Sequence, residues 1–187
     1  MNVEVEIKVK INEFDKVKKI LPKFCKFVKL IKQIDEYYVP CHRDYFAHKP
    51  CPNEWLRIRT NPNSVIFEYA RSFNKKKEDE QDYADEYETE ILQPDELRKI
   101  LKFLDFRKSI TVNKRREIWK CRDFEVCLDD VKGLGKFIEV EAIGNFKNVK
   151  EAKNGCIDFF KKINIENYRE NQVNSGYPTL LLKRVGI

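Results

Sequence analysis

Glu4, Glu6 and Lys8 stand at every second position of VEVEIKVKI, with an aliphatic residue between each pair. In a β-strand alternate side chains share a face, so two carboxylates and an ammonium line one side while Val and Ile line the other. The same spacing recurs. Glu139 and Glu141 form a second Glu-x-Glu in FIEVEAI, and Asp129 precedes the glycine turn VKGLG. Arg57 and Arg59 in LRIR, then Lys114 and Arg116 in NKRR, supply two cationic pairs. One such pair alone is the pattern of a solvated strand face. Acidic and basic pairs together read differently: carboxylates crowded on one lining repel unless cations sit among them. Oxygen donors in that number suit Mg²⁺ or Mn²⁺, and arginines beside them suit a polyphosphate chain.

Elements must hold these residues in place. Residues 2–11 read as a strand. Asn12 is read as the cap of a helix with Phe14, Val17, Leu21, Phe24 and Val28 at helical spacing, kinked or divided at Pro22. LIKQIDEYYV (30–39) returns to strand character, and residues 40–54, with three prolines, read as a long loop. WLRIRT and VIFEYARS flank NPN as a hairpin. The wholly polar NKKKEDEQD (74–82) reads as a loop that buries too little to order itself. EYETEI, ITVNKRREIW, DFEVCLDD and KFIEVEAI are further strands. A short helix starts at Pro94, and a last one spans about 148–163, followed by a polar tail and GYPTLLL. The sum is an α+β chain whose strands, charged on one face, predict a barrel or strongly curved sheet.

Composition bounds the alternatives. The 187 residues are enough for one domain, 1–187, with a real core. With 42% hydrophobic and 36% charged residues, a net charge of +6 and a pI near 8.9, the chain reads as soluble and drawn to anions. It has no apolar run of bilayer length, and Glu4 and Glu6 replace any signal-peptide pattern, so a cytoplasmic location is expected. The six cysteines are scattered without a CxxC pair and are read as reduced thiols. Cys41, His42, His48 and Cys51 could hold zinc, although adjacent Cys-His ligands and the spacing argue for a Pro-rich loop with incidental thiols.

Taken in order, these motifs resemble the CYTH family, the triphosphate tunnel metalloenzymes, which includes class IV adenylate cyclases and thiamine or inorganic triphosphatases. Glu4, Glu6 and Lys8 match its Glu-x-Glu-x-Lys; QIDEYYV, LRIR and VNKRREIW resemble its D-x-Y, Arg-x-Arg and K-x-R strands. LDDVKGLGKFIEVE is similar to its L-D-x-V-x-G-L-G-x-F-x-E-x-E segment, and GYPTLLL to the tail of many class IV cyclases. The resemblance implies a closed antiparallel barrel of about eight strands with flanking helices. It implies metal ligands at Glu4, Glu6, Asp129, Glu139 and Glu141, and phosphate ligands at Lys8, Arg57, Arg59, Lys114 and Arg116. It also implies Lys8 with Tyr37 as the pair that activates a nucleophile. Two positions depart from the family. Ala70 stands where a lysine is common, with Arg71 beside it as a substitute phosphate ligand, and Val39 stands where an aspartate often occurs.

The expected activity is a Mg²⁺- or Mn²⁺-dependent reaction on a small-molecule triphosphate: ATP, tripolyphosphate or thiamine triphosphate. The tail and glycine turn tilt it toward a cyclase making cyclic AMP and pyrophosphate; a triphosphatase is the alternative. A third reading is a non-catalytic module for polyphosphate or RNA 5′-ends, for which lysines 16, 18, 19, 23 and 26 of the first helix would serve. Pure anion binding gives no reason to aim carboxylates at the ligand, so no nucleic-acid or membrane partner is expected; a homodimer is allowed for.

Overall fold

The computed structural model describes residues 5–45, 52–73 and 83–186. Its strands are β1 (Glu6–Lys10), β2 (Lys26–Pro40), β3 (Glu54–Thr60), β4 (Val65–Phe73), β5 (Tyr83–Glu90), β6 (Phe106–Cys121), β7 (Phe124–Val131) and β8 (Gly135–Ala142). The helices are α1 (Phe14–Ile20), α2 (Pro94–Phe103), α3 (Val149–Lys162) and α4 (Tyr177–Arg184). The strands form one sheet in the order β1-β8-β7-β6-β2-β3-β4-β5, and the ladders with assigned register are antiparallel.

An α+β chain with eight antiparallel strands and flanking helices is therefore present, and among the described residues β1 and β5 end the strand order. The outer edge of β1 is taken up by residues 171–173. Lys10 N–H donates to Asn171 O at 2.9 Å, and Val173 N–H donates to Lys8 O at 2.8 Å.

The chain divides into two compact units. The first comprises residues 1–31 and 114–174, the second 32–113 and 175–187. The long strands β2 and β6 each contribute a segment to both. In the first unit Ile7 and Val9 of β1, Val126 and Leu128 of β7, and Ile138 and Val140 of β8 pack with Phe14 and Val17 of α1 and Phe159 and Phe160 of α3. In the second, Tyr38, Leu56 and Ile58 pack with Leu101 of α2.

Local rules account for several boundaries. Asn148 caps α3, its side chain accepting from Glu151 N–H at 2.9 Å. Pro94 opens α2 at a position where its missing N–H costs nothing. Gly135 closes the β7–β8 turn at φ 100°, where any other residue would be strained.

The expected first helix is too long. α1 starts at Phe14 after an N-cap at Glu13, with no side-chain cap from Asn12, and gives way to a 3₁₀ turn, Leu21–Lys23, at Pro22. Phe24 and Val28, placed on the helix's buried stripe, are 40% and 50% exposed, and Val28 belongs to β2. Pro22 lacks the N–H that would continue the helical ladder.

The expectation of reduced thiols also fails at one pair: Cys25 and Cys121, 96 residues apart, form a disulfide in the first unit. It ties the segment entering β2 to the last residue of β6. Cys41, Cys127 and Cys156 are free thiols. No helix among the described residues is long and apolar enough to cross a membrane. The proposed 74–82 loop and Glu4 lie outside the described residues, as do His48 and Cys51 of the candidate zinc set.

Candidate functional site

Register places the charged motifs of the first unit on one face. Glu6 of β1 is opposite Glu141 of β8, which is opposite Glu125 of β7. In the next row Lys8 is opposite Glu139, which is opposite Cys127, and Asp129 lies opposite Arg116 of β6. Directly opposed residues project to the same side of a sheet. The reverse side carries Ile7, Val9, Val126, Leu128, Ile138 and Val140, so it faces the apolar core. The charged side is withdrawn from water as well: Lys8, Lys114, Glu139 and Asp129 are each at most 9% exposed. A solvated strand face is thereby excluded.

Those buried charges are paired. Lys8 Nζ lies 3.0 Å from Glu139 Oε1 and 3.4 Å from Glu6 Oε1. Arg116 grips Asp129 through two bonds, Nε to Oδ1 at 2.7 Å and Nη2 to Oδ2 at 2.6 Å, and Nη2 also bonds Glu139. Lys114 Nζ is 3.7 Å from Asp129 Oδ2. Two-point guanidinium–carboxylate contact of this kind fixes direction as well as distance.

Burial alone would push the Glu139 carboxyl up, but Arg116, Lys8 and Lys114 outweigh it and hold the group well below the usual range. Burial likewise opposes the Lys8 ammonium, yet Glu139 and Glu6 raise its pKa. Lys8 is thereby held as an ammonium. Cys127 is a thiol among these charges; burial pushes it up to about 12, so it stays protonated and inert.

The row Glu6–Glu141–Glu125 is different in kind. Burial first, then Glu125 and Glu6, push the Glu141 carboxyl up. Like charges opposed across strands destabilise a sheet. Among the described residues of this face three inner cations (Lys8, Lys114, Arg116) meet five carboxylates (Glu6, Glu125, Asp129, Glu139, Glu141). Lys120, opposite Glu125, is exposed. Of this row Glu6 is reached by Lys8 at 3.4 Å, while Glu141 stands between two carboxylates. Among the described residues no three His, Cys, Asp or Glu side chains converge as they would around a bound ion. Asp129 and Glu139, expected as metal ligands, are engaged by Arg116, Lys8 and Lys114. Glu125 was not singled out by spacing: the pairing of β7 with β8 brings it beside Glu141, although it stands four residues from Asp129 in DFEVCLDD.

The second unit carries its own constellation. Asp35 is opposite Arg59, and Tyr37 opposite Arg57, which is opposite Glu68 of β4 and, beyond it, Glu88 of β5. Arg59 bonds Asp35 through Nε at 2.7 Å and Nη2 at 2.9 Å. Arg57 pairs with Glu68 through Nη2 and donates from Nη1 to the Tyr37 hydroxyl at 3.4 Å. Burial raises the Tyr37 phenol above its ordinary value against the pull of Arg57. Both groups of the expected Lys8–Tyr37 pair thus hold their protons more firmly than in water. Arg71 does not share this face. It lies opposite Glu54 and Asp85, one residue on from Ala70, and strand alternation turns it away from Arg57. Ala70, opposite Trp55 and Glu86, supplies no cation.

The CYTH domain model matches residues 2–176, through both units. The chain belongs to the CYTH family. A Methanocaldococcus jannaschii protein provisionally named an adenylate cyclase is 32% identical over 177 residues, 94% of this chain and 96% of its own. A solved Pyrococcus horikoshii structure is 28% identical with a TM-score of 0.78, covering 97% of this CYTH chain and 99% of that one. A Hippeastrum protein, provisionally named an adenylyl cyclase and described as having a dominant triphosphatase activity, has a TM-score of 0.67 over 100% of this chain and 96% of its own. At 16% identity that last likeness concerns the fold alone.

Proposed function

We propose that this CYTH chain is a divalent-metal-dependent enzyme acting on a triphosphate, converting ATP to cyclic AMP and pyrophosphate in the manner of class IV adenylate cyclases. The observation that carries the reading is the fixing of cations by carboxylates on strand faces shielded from water. Lys8, Lys114 and Arg116 in the first unit, and Arg57 and Arg59 in the second, are held in place before any ligand arrives. Donors oriented in advance need little reorganisation when phosphate oxygens replace their partners. These five side chains are the phosphate ligands in this reading; Arg71 is not.

In this reading Glu6 and Glu141, with Glu125 beside them in the sheet, would hold Mg²⁺ or Mn²⁺. When bound, such an ion neutralises charge on the phosphate oxygens. Asp129 and Glu139 orient Arg116, Lys8 and Lys114. Lys8, kept as an ammonium by Glu139 and Glu6, is a charge donor to phosphate rather than a base. Both candidate reactions depend on positioning and charge neutralisation more than on covalent participation by the protein.

A triphosphatase is the second reading, favoured by the activity described for the Hippeastrum protein of the same fold. Incubation with ATP, tripolyphosphate and thiamine triphosphate, in Mg²⁺ and then Mn²⁺, separates the two by mass spectrometry. Cyclic AMP with pyrophosphate supports the cyclase, and release of inorganic phosphate the triphosphatase. Binding of all three without turnover would refute both and leave a polyphosphate-binding module.

A further inference from the structure

Arg57 and Arg59 stand two residues apart on one face of β3, yet their surroundings are unequal. Arg59 is saturated on one side by the two oxygens of Asp35. Arg57 spends Nη2 on Glu68 and Nη1 on a long bond to Tyr37, and its buried Nε has no hydrogen-bond partner among the described residues. A buried guanidinium donor without an acceptor is rare and marks a place where an acceptor belongs. The carboxylate across from it, Glu68, is 2% exposed and sits on the same face as Arg57. Ile66 and Ala70, its neighbours on that face of β4, carry no charge.

We propose that Glu68 is a specificity-determining residue that competes with the phosphate chain for Arg57. The ligand takes the guanidinium, and the displaced carboxylate takes up one proton from solvent. The subsite therefore accepts phosphate together with a proton, and an ionised Glu68 opposes a fully ionised phosphate group. This rests on the reading of Arg57 as a phosphate ligand.

The groups facing Glu68 support the exchange. From β3 come Arg57 and Arg59, from β2 Asp35 and Tyr37, and from β5 Glu86 and Glu88. Burial, then a hydrogen bond with Glu88, push the Glu68 carboxyl above its ordinary value against the pull of Arg57. Withdrawing Arg57 toward an anion removes the main influence that keeps Glu68 ionised, and the anion adds a repulsive one. Binding and proton uptake are linked, so affinity falls as pH rises through the range in which Glu68 must ionise.

The test is calorimetric binding of inorganic tripolyphosphate, with and without Mg²⁺, to the natural chain and to Glu68→Gln. The ligand's own ionisation acts alike on both proteins, so the ratio of their affinities isolates Glu68. That ratio is expected to rise by about tenfold in favour of Glu68→Gln from about pH 6 to about pH 8.5. A purely structural role for Glu68 predicts a constant loss at every pH, and a flat ratio overturns the proposal while leaving Arg57 a phosphate ligand. No binding by either protein at any pH overturns both readings together. Should Glu68→Gln fail to fold by circular dichroism, Glu68→Thr carries the same comparison.

Discussion

Glu139 and Glu141 stand two residues apart on one face of β8, and their surroundings drive their carboxyls in opposite directions. Glu139 is held below its ordinary 4.5 because Arg116, Lys8 and Lys114 overcome the effect of burial. Its contribution to stability is present above that value and is lost as pH falls toward its depressed one. Glu141 is raised by burial and by Glu125 and Glu6. Its favourable contribution is present below 4.5 and is lost as pH rises through the raised value, so at neutral pH its ionised form is a cost. In EDTA near neutral pH, Glu141→Gln should raise the melting temperature. Glu139→Gln should lower it, since breaking a buried ion pair costs about 3–5 kcal/mol. Thermal melts of both variants decide the matter, and shifts of the same sign would contradict this account. The Glu-x-Glu spacing was legible as two carboxylates sharing a strand face, because period two puts both residues on one side. Which of the two meets cations and which meets carboxylates depends on β1, β6 and β7, whose register no local spacing encodes. Glu125 and Glu68 escaped notice for the same reason.

At the level of elements, the alternating strands were read correctly where one periodicity dominated, as in LRIR, FIEVEAI and DFEVCLDD. Between residues 20 and 32 the reading failed. ILPKFCKFVKLIK offers apolar residues at both helical and strand spacing, and the 3₁₀ turn at Pro22 decides in favour of an early β2. The disulfide was unreadable for another reason. Cys25 and Cys121 belong to segments 96 residues apart that meet only once the sheet has formed. A cross-link closing so long a loop restricts the unfolded chain strongly, and typical disulfides stabilise by about 2–4 kcal/mol. Reduction with dithiothreitol, or Cys25→Ser paired with Cys121→Ser, should therefore lower the unfolding free energy by an amount in that range, read as a lower denaturant midpoint at unchanged slope. The double variant should no longer respond to dithiothreitol. An unchanged midpoint in the double variant would mean that the bond does not restrain the unfolded ensemble.

At the scale of the whole molecule, the apolar clusters that the described residues form are unequal between the two units. Nineteen buried side chains form the cluster of the first unit, from Ile7 on β1 to Tyr168 beyond α3. Six form that of the second, among them Leu56 and Ile58 of β3 and Leu101 of α2. Burial of apolar area is the main favourable contribution to folding, at about 25 cal/mol per Å². A unit that buries less of it opens at a smaller free energy, provided its backbone hydrogen bonds are otherwise alike. The second unit adds to this a face where Arg57 and Arg59 depend on Asp35 and Glu68, and ion pairs seldom compensate for a small core. Its charged face is thereby placed in the part of the molecule that yields first. Hydrogen exchange read by mass spectrometry under native conditions tests this. Amides of β3, β4 and β5 should exchange through partial openings that leave β7, β8 and α3 protected. Low denaturant should accelerate all of the latter together, as one cooperative unit. Tripolyphosphate, if Arg57 and Arg59 bind it, should slow exchange selectively in β3 and β4, because a ligand stabilises only the states that retain its site. Equal protection of β3 and β8 in the free protein would show that the difference in core size does not control local opening.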